Sequence, residues 1–150
     1  MIEKYDPLKG EMLKILSPEG LLEESLRPDL SDEAVQNLYR QMVIIRIADQ
    51  RALALQRQGR FGTYAPVRGQ EAAQVGSAYA LAKEDWIFPS FRETGALYMH
   101  GVSLRDIFLY WMGNEMGQKV PEDVNAFPVS VPVGSHPLHA VGAAWAAKLK

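Results

Sequence analysis

Few side chains in this sequence are suited to catalysis or metal binding. The chain has three histidines and no cysteine, so disulfides and thiolate metal sites are excluded. His136 and His139 are three residues apart, a spacing that places both on one face of a helix. Two ligands do not complete a metal site, however. His100 precedes Gly101, which favours a role as a cation at a helix C-terminus. The histidines alone therefore predict neither a metal nor a catalytic site.

Arg92 is the remaining side chain of interest, because it lies between a predicted strand that ends at Pro89 and the start of a predicted helix. It has two interpretations. It is either an ordinary surface arginine or an anion clamp, in which backbone NH groups at the helix start act together with the forked guanidinium donors. Residue types alone do not separate the two. No glycine-rich phosphate loop and no G-x-S-x-G nucleophile motif is present.

Bulk composition excludes several classes of protein. The 150 residues suit one domain, and the 47% hydrophobic and 23% charged content is ordinary for a globular protein. The net charge of -2 without a basic run argues against nucleic acid as a partner. The N-terminus lacks the apolar core of a signal peptide, and no apolar stretch approaches the ~20 residues of a membrane span. We therefore expect a soluble, cytoplasmic protein with no membrane partner.

The N-terminal part of the chain predicts an arm followed by a long helix. Residues 1–30 form the arm, with a turn over Ser17 to Gly20. The helix begins at Ser31 or Asp32, which can cap it, and ends near Gly59. Its apolar residues recur at helical spacing, and additional ones widen the stripe, so we expect burial on more than one side. These residues are Val35, Leu38, Met42, Val43, Ile44, Ile45, Ile47, Ala48, Ala52 and Leu55.

The remaining elements predict a helix-rich α/β fold with an incomplete parallel sheet. A second helix covers about residues 70–82, with Ala72, Val75, Ala78 and Tyr79 as its inner face. A short buried strand over 86–89 precedes a helix over 93–100. The capping pattern from Ser103 to Asp106 opens a helix that continues through Met112. Residues 113–133 are predicted to be irregular, and Pro137 falls in the first turn of a final helix.

Four stretches carry a resemblance to a known family. They are IIRIADQRALALQ (44–56), QRQGRFGTYAPVRGQEAAQVGSAYAL (56–81), KEDWIFPSFRETGALYMHGVSL (83–104) and VPEDVNAFPVSVPVGSHPLHAVGAAWAAK (120–148). In this order they resemble the alpha subunit of thiamine-diphosphate-dependent 2-oxo acid dehydrogenases, most closely the bacterial pyruvate type. The resemblance implies that residues 31–150 are the first half of a thiamine-diphosphate-binding domain. It also implies oxidative decarboxylation of pyruvate or a branched-chain 2-oxo acid, with acyl transfer to a lipoyl group.

The resemblance also implies binding residues. Phe91 and Arg92 match a Tyr-Arg pair that binds the cofactor's diphosphate, although Phe91 lacks the tyrosine hydroxyl. Val131 and Val133 flank a segment whose backbone meets the aminopyrimidine ring. In branched-chain relatives this region binds potassium. The matching positions are Ser130, Pro132, Ser135 and His136, of which the first three offer oxygens that suit a hard cation and the histidine does not.

Departures from the family pattern shape the remaining expectations. Met116 and Ala65 stand where some relatives carry histidines, so no catalytic histidine is assigned. The G-D-G and N-N motifs that hold magnesium in relatives do not occur before Lys150. The predicted partners are therefore a chain carrying the C-terminal half, a beta subunit and a lipoyl-bearing acyltransferase, and the chain alone is expected to be inactive. The alternative is a non-catalytic remnant or scaffold that only binds partner subunits.

Overall fold

The computed structural model describes residues 6–150, which divide into a unit that ends at Val35 and a unit from Gln36 to Lys150. The first unit contains the 3-10 helices Pro7–Lys9 and Glu24–Leu26. Between them, the Gly20 amide donates to the Ser17 carbonyl at 3.0 Å and Gly20 has a φ of +83°. The turn predicted for this position is therefore confirmed.

The long helix α1 spans Asp32–Arg57. The hydroxyl of Ser31 accepts a 3.2 Å hydrogen bond from the Ala34 amide, which is the N-terminal capping predicted from the sequence. Beyond its C-terminus, Gly59 takes a φ of +71°, a conformation that glycine adopts without steric cost. Both predicted ends of the helix are confirmed within one or two residues.

The expected burial of α1 on more than one side is wrong for the part of the chain that the structure describes. One stripe is buried, and it contains Ile45, Ala48, Asp49, Ala52 and Leu55. Val43 and Ile47 on the opposite side are 38% and 59% exposed. The reason is geometric, because the elements that follow pack against a single face of α1 and leave the widened part of the apolar stripe uncovered.

Helix α2 spans Glu71–Tyr79 and is shorter than predicted. Of the four residues expected on its inner face, Val75 and Ala78 are buried, whereas Ala72 and Tyr79 are exposed. Their places are taken by Glu71 and Gln74, which are 6% and 7% exposed. Buried polar side chains are stable only when their polar atoms are bonded, and both of these residues meet that condition.

Two shorter helices follow, α3 over Thr94–Met99 and α4 over Leu104–Trp111. Each is followed by a glycine with positive φ, Gly101 at +118° and Gly113 at +75°. The hydroxyl of Ser103 accepts a 3.1 Å hydrogen bond from the Asp106 amide, so the predicted cap of α4 is confirmed. His100, which follows α3, directs its Nε2 to the Asp85 carbonyl at 2.9 Å.

The predicted strand over 86–89 does not form as a strand within residues 6–150. Ile87 makes only an isolated parallel bridge to Ala126, through bonds from the Ile87 amide to the Asn125 carbonyl and from the Phe127 amide to the Ile87 carbonyl. Pro89 and Pro128 stand just beyond the bridge and lack the amide hydrogens that a longer ladder would need. The described chain is helix-rich, and the expected parallel sheet is represented by this single pairing.

The segment after α4 is mostly irregular, as predicted, except for the 3-10 helix Glu115–Gln118. The final helix α5 spans Ser135–Leu149 with Pro137 in its first turn, which is also as predicted. The main core joins α1, the 61–64 loop, α3 and α4. Its members are Ala52, Leu55, Phe61, Tyr64, Leu97, Val102, Ile107, Trp111 and Ala126. No helix within residues 6–150 is both long enough and apolar enough to cross a bilayer.

Candidate functional site

A cleft of about 650 Å³ opens beside α4 in the unit from Gln36 to Lys150. Its lining includes Ala65, Phe91, Trp111, Met112 and Val131. Most of these side chains are apolar, and the volume lies within the range of small-molecule and cofactor sites. The structure therefore brings two of the residues predicted for cofactor binding, Phe91 and Val131, to one cavity.

Arg92 lies at the edge of this cleft. Ala65 and Phe91 both line the cavity, and the residues that follow them, Pro66 and Arg92, are joined by a 3.2 Å hydrogen bond from the Arg92 Nε to the Pro66 carbonyl. The guanidinium also lies 5.0 Å from the centroid of the Phe91 ring. Arg92 is exposed, and the described residues form no ion pair with it, so its terminal NH₂ groups can meet an anion.

The backbone around Arg92 contributes less to anion binding than the sequence suggested. The Arg92 amide donates to the Glu93 carboxylate at 3.0 Å, and the Gly95 amide donates to the Gln74 side chain at 2.6 Å. Helix α3 has only six residues, so its dipole is small. At this corner the groups left free to meet an anion therefore belong to the Arg92 side chain rather than to the helix start.

Val131 and Val133 differ in their positions. Val131 lines the cleft and is 54% exposed, whereas Val133 is 83% exposed and is not part of the lining. Ala65 contributes to the wall of the cleft. Met116, on the 3-10 helix, is 64% exposed and does not line the cleft. Within residues 6–150, none of the histidines lines the cleft, so the lining contains no imidazole to transfer a proton.

Asp49 anchors the loop that forms one wall of the cleft. Its buried carboxylate accepts hydrogen bonds from the Tyr64 hydroxyl at 2.8 Å and from the Val67 amide at 2.7 Å. The Tyr64 ring packs edge-on against Trp111, with 5.3 Å between the centroids. Burial, reinforced by the hydrogen bond and the charge of Asp49, raises the pKa of Tyr64 well above its ordinary value. The phenol therefore remains protonated and acts as a permanent donor.

The ion pair between Arg46 and Glu71 fixes the far end of the same loop. The Arg46 Nε donates to one oxygen of Glu71 at 2.5 Å, and the Gly69 amide donates to the other at 2.9 Å. The Arg46 hydrogen bond is the main reason that the pKa of Glu71 falls to about 2. Asp49 and Glu71 thus hold the loop at residues 64, 67 and 69 through charge-assisted hydrogen bonds.

The four residues predicted for a cation site come together before and at the start of α5. The hydroxyls of Ser130 and Ser135 are 2.6 Å apart, and the Ser135 hydroxyl donates to the Pro132 carbonyl at 2.7 Å. The Nδ1 atom of His136 is buried, and no atom of the described residues forms a hydrogen bond with it. The three clustered oxygens suit a hard cation, whereas the imidazole nitrogen does not. No group of three or more His, Cys, Asp or Glu residues in 6–150 is placed to hold a metal ion.

Gln74 is the site-associated residue that the sequence analysis missed. It lies on the inner face of α2, where its amide nitrogen donates to the Arg92 carbonyl at 2.7 Å. Its position, three residues after Glu71, marks it as facing the same side of the helix. That spacing was the only available signal, and the apolar pattern of Val75 and Ala78 gave no reason to expect two polar residues there.

Comparison with known proteins adds independent information. The family model described as the dehydrogenase E1 component matches residues 39–150. Over 141 residues the chain is 45% identical to the pyruvate dehydrogenase E1 component subunit alpha of Staphylococcus aureus strain Mu50. The matched region covers 93% of this chain and 38% of that protein. The corresponding subunit of Staphylococcus epidermidis strain RP62A is 43% identical over the same coverage. The chain thus spans about 38% of the length of these curated relatives.

Proposed function

Because the chain belongs to the dehydrogenase E1 component family, we propose that it forms part of the alpha subunit of a 2-oxo acid dehydrogenase and contributes one wall of its thiamine diphosphate site. Its assembly decarboxylates pyruvate or a branched-chain 2-oxo acid. After carbon dioxide has left, the acyl unit passes to a lipoyl disulfide, whose S–S bond is broken so that one sulfur carries the acyl group and the other becomes a thiol. Pyruvate is the leading substrate, since the matched relatives are pyruvate dehydrogenase subunits.

The observation that carries this proposal is the exposed Arg92 side chain, which follows the cleft-lining Phe91 and is bonded to Pro66, the neighbour of the cleft-lining Ala65. The Pro66 carbonyl holds the Nε edge, which leaves the terminal NH₂ groups for a diphosphate oxygen. The adjacent cavity, with Phe91 and Val131 in its walls, has room for the organic part of the cofactor. Bound thiamine diphosphate supplies the carbanion chemistry, and this chain's residues bind it, orient it and exclude water.

On this proposal, residues 31–150 form the first half of the thiamine-diphosphate-binding domain. The domain has an α/β fold that is completed by further strands, and residues 1–30 are its N-terminal arm. The proposed partners are a chain carrying the C-terminal half, a beta subunit and a lipoyl-bearing acyltransferase. Magnesium would be held with the cofactor by oxygen ligands on a partner chain. The support for the beta subunit and the acyltransferase is the family membership.

The oxygens of Ser130, Pro132 and Ser135 support a potassium site next to the same segment. Ser135 is the central member, since its hydroxyl lies within 2.7 Å of both other oxygens. A cation there would hold the 130–135 segment against the start of α5, and thereby fix Val131 in the wall of the cleft. His136 adjoins this site without serving as a ligand.

The decisive experiment is an activity measurement on the assembly recovered from its native cells through an affinity tag on this chain. Carbon dioxide release from carboxyl-labelled pyruvate and branched-chain 2-oxo acids is measured with an electron acceptor, before and after removal of thiamine diphosphate and magnesium. We expect release that depends on both. Recovery of partner subunits without any release would instead support a scaffold function.

A further inference from the structure

Gln74 forms a two-sided connection between α2 and the segment that carries Arg92. Its side-chain nitrogen donates to the Arg92 carbonyl at 2.7 Å, and its side-chain oxygen accepts from the Gly95 amide at 2.6 Å. A longer contact of 3.3 Å joins the same nitrogen to the Gln70 side chain. Gln74 is 7% exposed, so these bonds lie away from water and cannot be exchanged readily for solvent.

The fit between Gln74 and Gly95 is close. A β-carbon at Gly95 would lie 2.8 Å from the Gln74 side-chain oxygen and 3.0 Å from the Ile45 Cδ1 atom. Only glycine therefore allows the backbone to approach the amide this closely. This close contact fixes the position of residues 92–95 relative to both α2 and α1.

Arg92 is held at two points. Gln74 bonds its backbone carbonyl from the protein interior, and Pro66 bonds its guanidinium at the surface. Gln74 itself does not line the cleft. An influence of Gln74 on a ligand in the cleft is therefore indirect, and its bond to the Arg92 carbonyl provides one connection through which it can act.

We propose that Gln74 is the positioning residue for Arg92, and that its primary amide aims the guanidinium at the diphosphate of the cofactor. The inference rests on the proposed function, because it takes Arg92 as a diphosphate ligand. An amide is required at this place, since one end must donate to a carbonyl while the other accepts from an amide hydrogen. Neither a carboxylate nor an apolar side chain of the same length can do both.

Two variants separate positioning from general stability. Gln74→Met keeps the length of the side chain and removes both hydrogen bonds. Gln74→Glu keeps the acceptor for Gly95, but as a carboxylate it has no proton to donate to the Arg92 carbonyl. The protonated acid does have one. Burial favours the protonated acid and the bond from the Gly95 amide favours the carboxylate, so the glutamate variant should regain the missing bond only as the pH is lowered far enough to protonate it.

The test measures the dissociation constant of thiamine diphosphate with magnesium by calorimetry, in the tagged assembly at pH 6 and pH 8. We expect Gln74→Met to weaken binding about 5- to 10-fold at both values, as loss of one or two hydrogen bonds predicts. Gln74→Glu should also weaken binding at pH 8, because the carboxylate cannot donate to the Arg92 carbonyl, and its loss should be no larger at pH 6. Gln58→Met, an exposed residue beyond α1, is the matched control and should bind as the parent does.

A double-mutant cycle decides whether the effect passes through Arg92. If it does, Gln74→Met should have little further effect on an Arg92→Ala background. Hydrogen exchange in the cofactor-free assembly provides a second readout, in which Gln74→Met should accelerate exchange at the Gly95 amide. If Arg92→Ala weakens binding but Gln74→Met does not, or if the two losses add fully, the inference is overturned. If Arg92→Ala leaves binding unchanged, the diphosphate role of Arg92 is itself wrong.

Discussion

The Tyr64 hydroxyl donates a 2.8 Å hydrogen bond to the buried carboxylate of Asp49, behind one wall of the cleft. Tyr64→Phe removes this donor and leaves Asp49 with the hydrogen bond from the Val67 amide. We expect a loss of about 1–3 kcal/mol in the free energy of unfolding, because a buried charged acceptor loses a bond. Urea denaturation measures it. Tyr39→Phe is the control, since Tyr39 is 65% exposed, and an equal loss there would contradict the explanation.

Arg92→Ala should weaken cofactor binding in the assembly roughly 10- to 150-fold, because a charge-assisted hydrogen bond contributes about 1.5–3 kcal/mol. Arg92→Lys should recover only part of the loss, since lysine offers a point charge instead of a fork. The measurement is the cofactor concentration that gives half-maximal decarboxylation, at one salt concentration. Arg105→Ala, with its side chain 81% exposed on α4, should leave that concentration unchanged.

Phe91→Tyr tests whether the cleft can regain the phenol that the family pattern places there. Phe91 lines the cavity next to Arg92, so a hydroxyl on its ring is expected to enter the cleft. One new hydrogen bond worth about 0.5–1.5 kcal/mol would tighten cofactor binding roughly 2- to 12-fold. Calorimetry with thiamine diphosphate and magnesium measures this directly. Weaker binding would mean that the cofactor approaches from another side of the ring.

Glu71 should make the free energy of unfolding depend on pH in the acid range. Its folded pKa of about 2 lies below the ordinary value of 4.5, chiefly through the Arg46 hydrogen bond. A carboxyl group whose pKa is lower in the folded state stabilises that state, and the stabilisation is complete at pH values above the unfolded pKa. It is lost as the pH falls from about 4.5 towards 2. Glu71→Gln should therefore cost about 1–2 kcal/mol at pH 7 and progressively less below pH 4.5. Urea denaturation at pH 7, 5 and 3 measures the difference. A constant difference would show that the ion pair is not responsible.

Two glycine substitutions should have opposite effects. A β-carbon at Gly117 would collide with the backbone of Leu109 and Tyr110 at the end of α4, whereas at Gly76 on α2 it would meet nothing within 4 Å. Gly117→Ala should therefore lower the free energy of unfolding by about 1–3 kcal/mol or more, because backbone cannot yield as a side chain can. Gly76→Ala should raise it by about 0.5–1 kcal/mol through helix propensity. Thermal unfolding of both variants in parallel measures the contrast. Equal effects would contradict the close approach at Gly117.

Local signals in the sequence were sufficient to predict most helix ends. Gly59, Gly101 and Gly113 all adopt positive φ where a helix was predicted to stop, and Ser31 and Ser103 cap the helices predicted to start there. These features depend on a few neighbouring residues and on backbone sterics. They are therefore readable without knowledge of the tertiary fold.

Tertiary relationships were not predictable in the same way. The inner face of α2 was assigned to apolar residues, yet Glu71 and Gln74 occupy it because Arg46 and Arg92, distant in sequence, bond them there. The extent of strand pairing at Ile87 likewise depends on what lies opposite it. At the candidate site, the sequence identified Arg92 but not the residues that hold it, since hydrogen bonds between distant segments leave no periodic pattern.

The polar inner face of α2 also determines how that helix is set against its neighbours. An apolar face slides and rotates with little penalty, because one hydrophobic contact substitutes for another. Glu71 and Gln74 instead bond to particular atoms near residues 46, 69, 92 and 95, and these bonds are satisfied at only one axial rotation and one translation of the helix. Leucine at both positions would bury more apolar surface but would form none of these bonds. The two polar side chains thus fix the orientation of α2 relative to α1 and to residues 92–95.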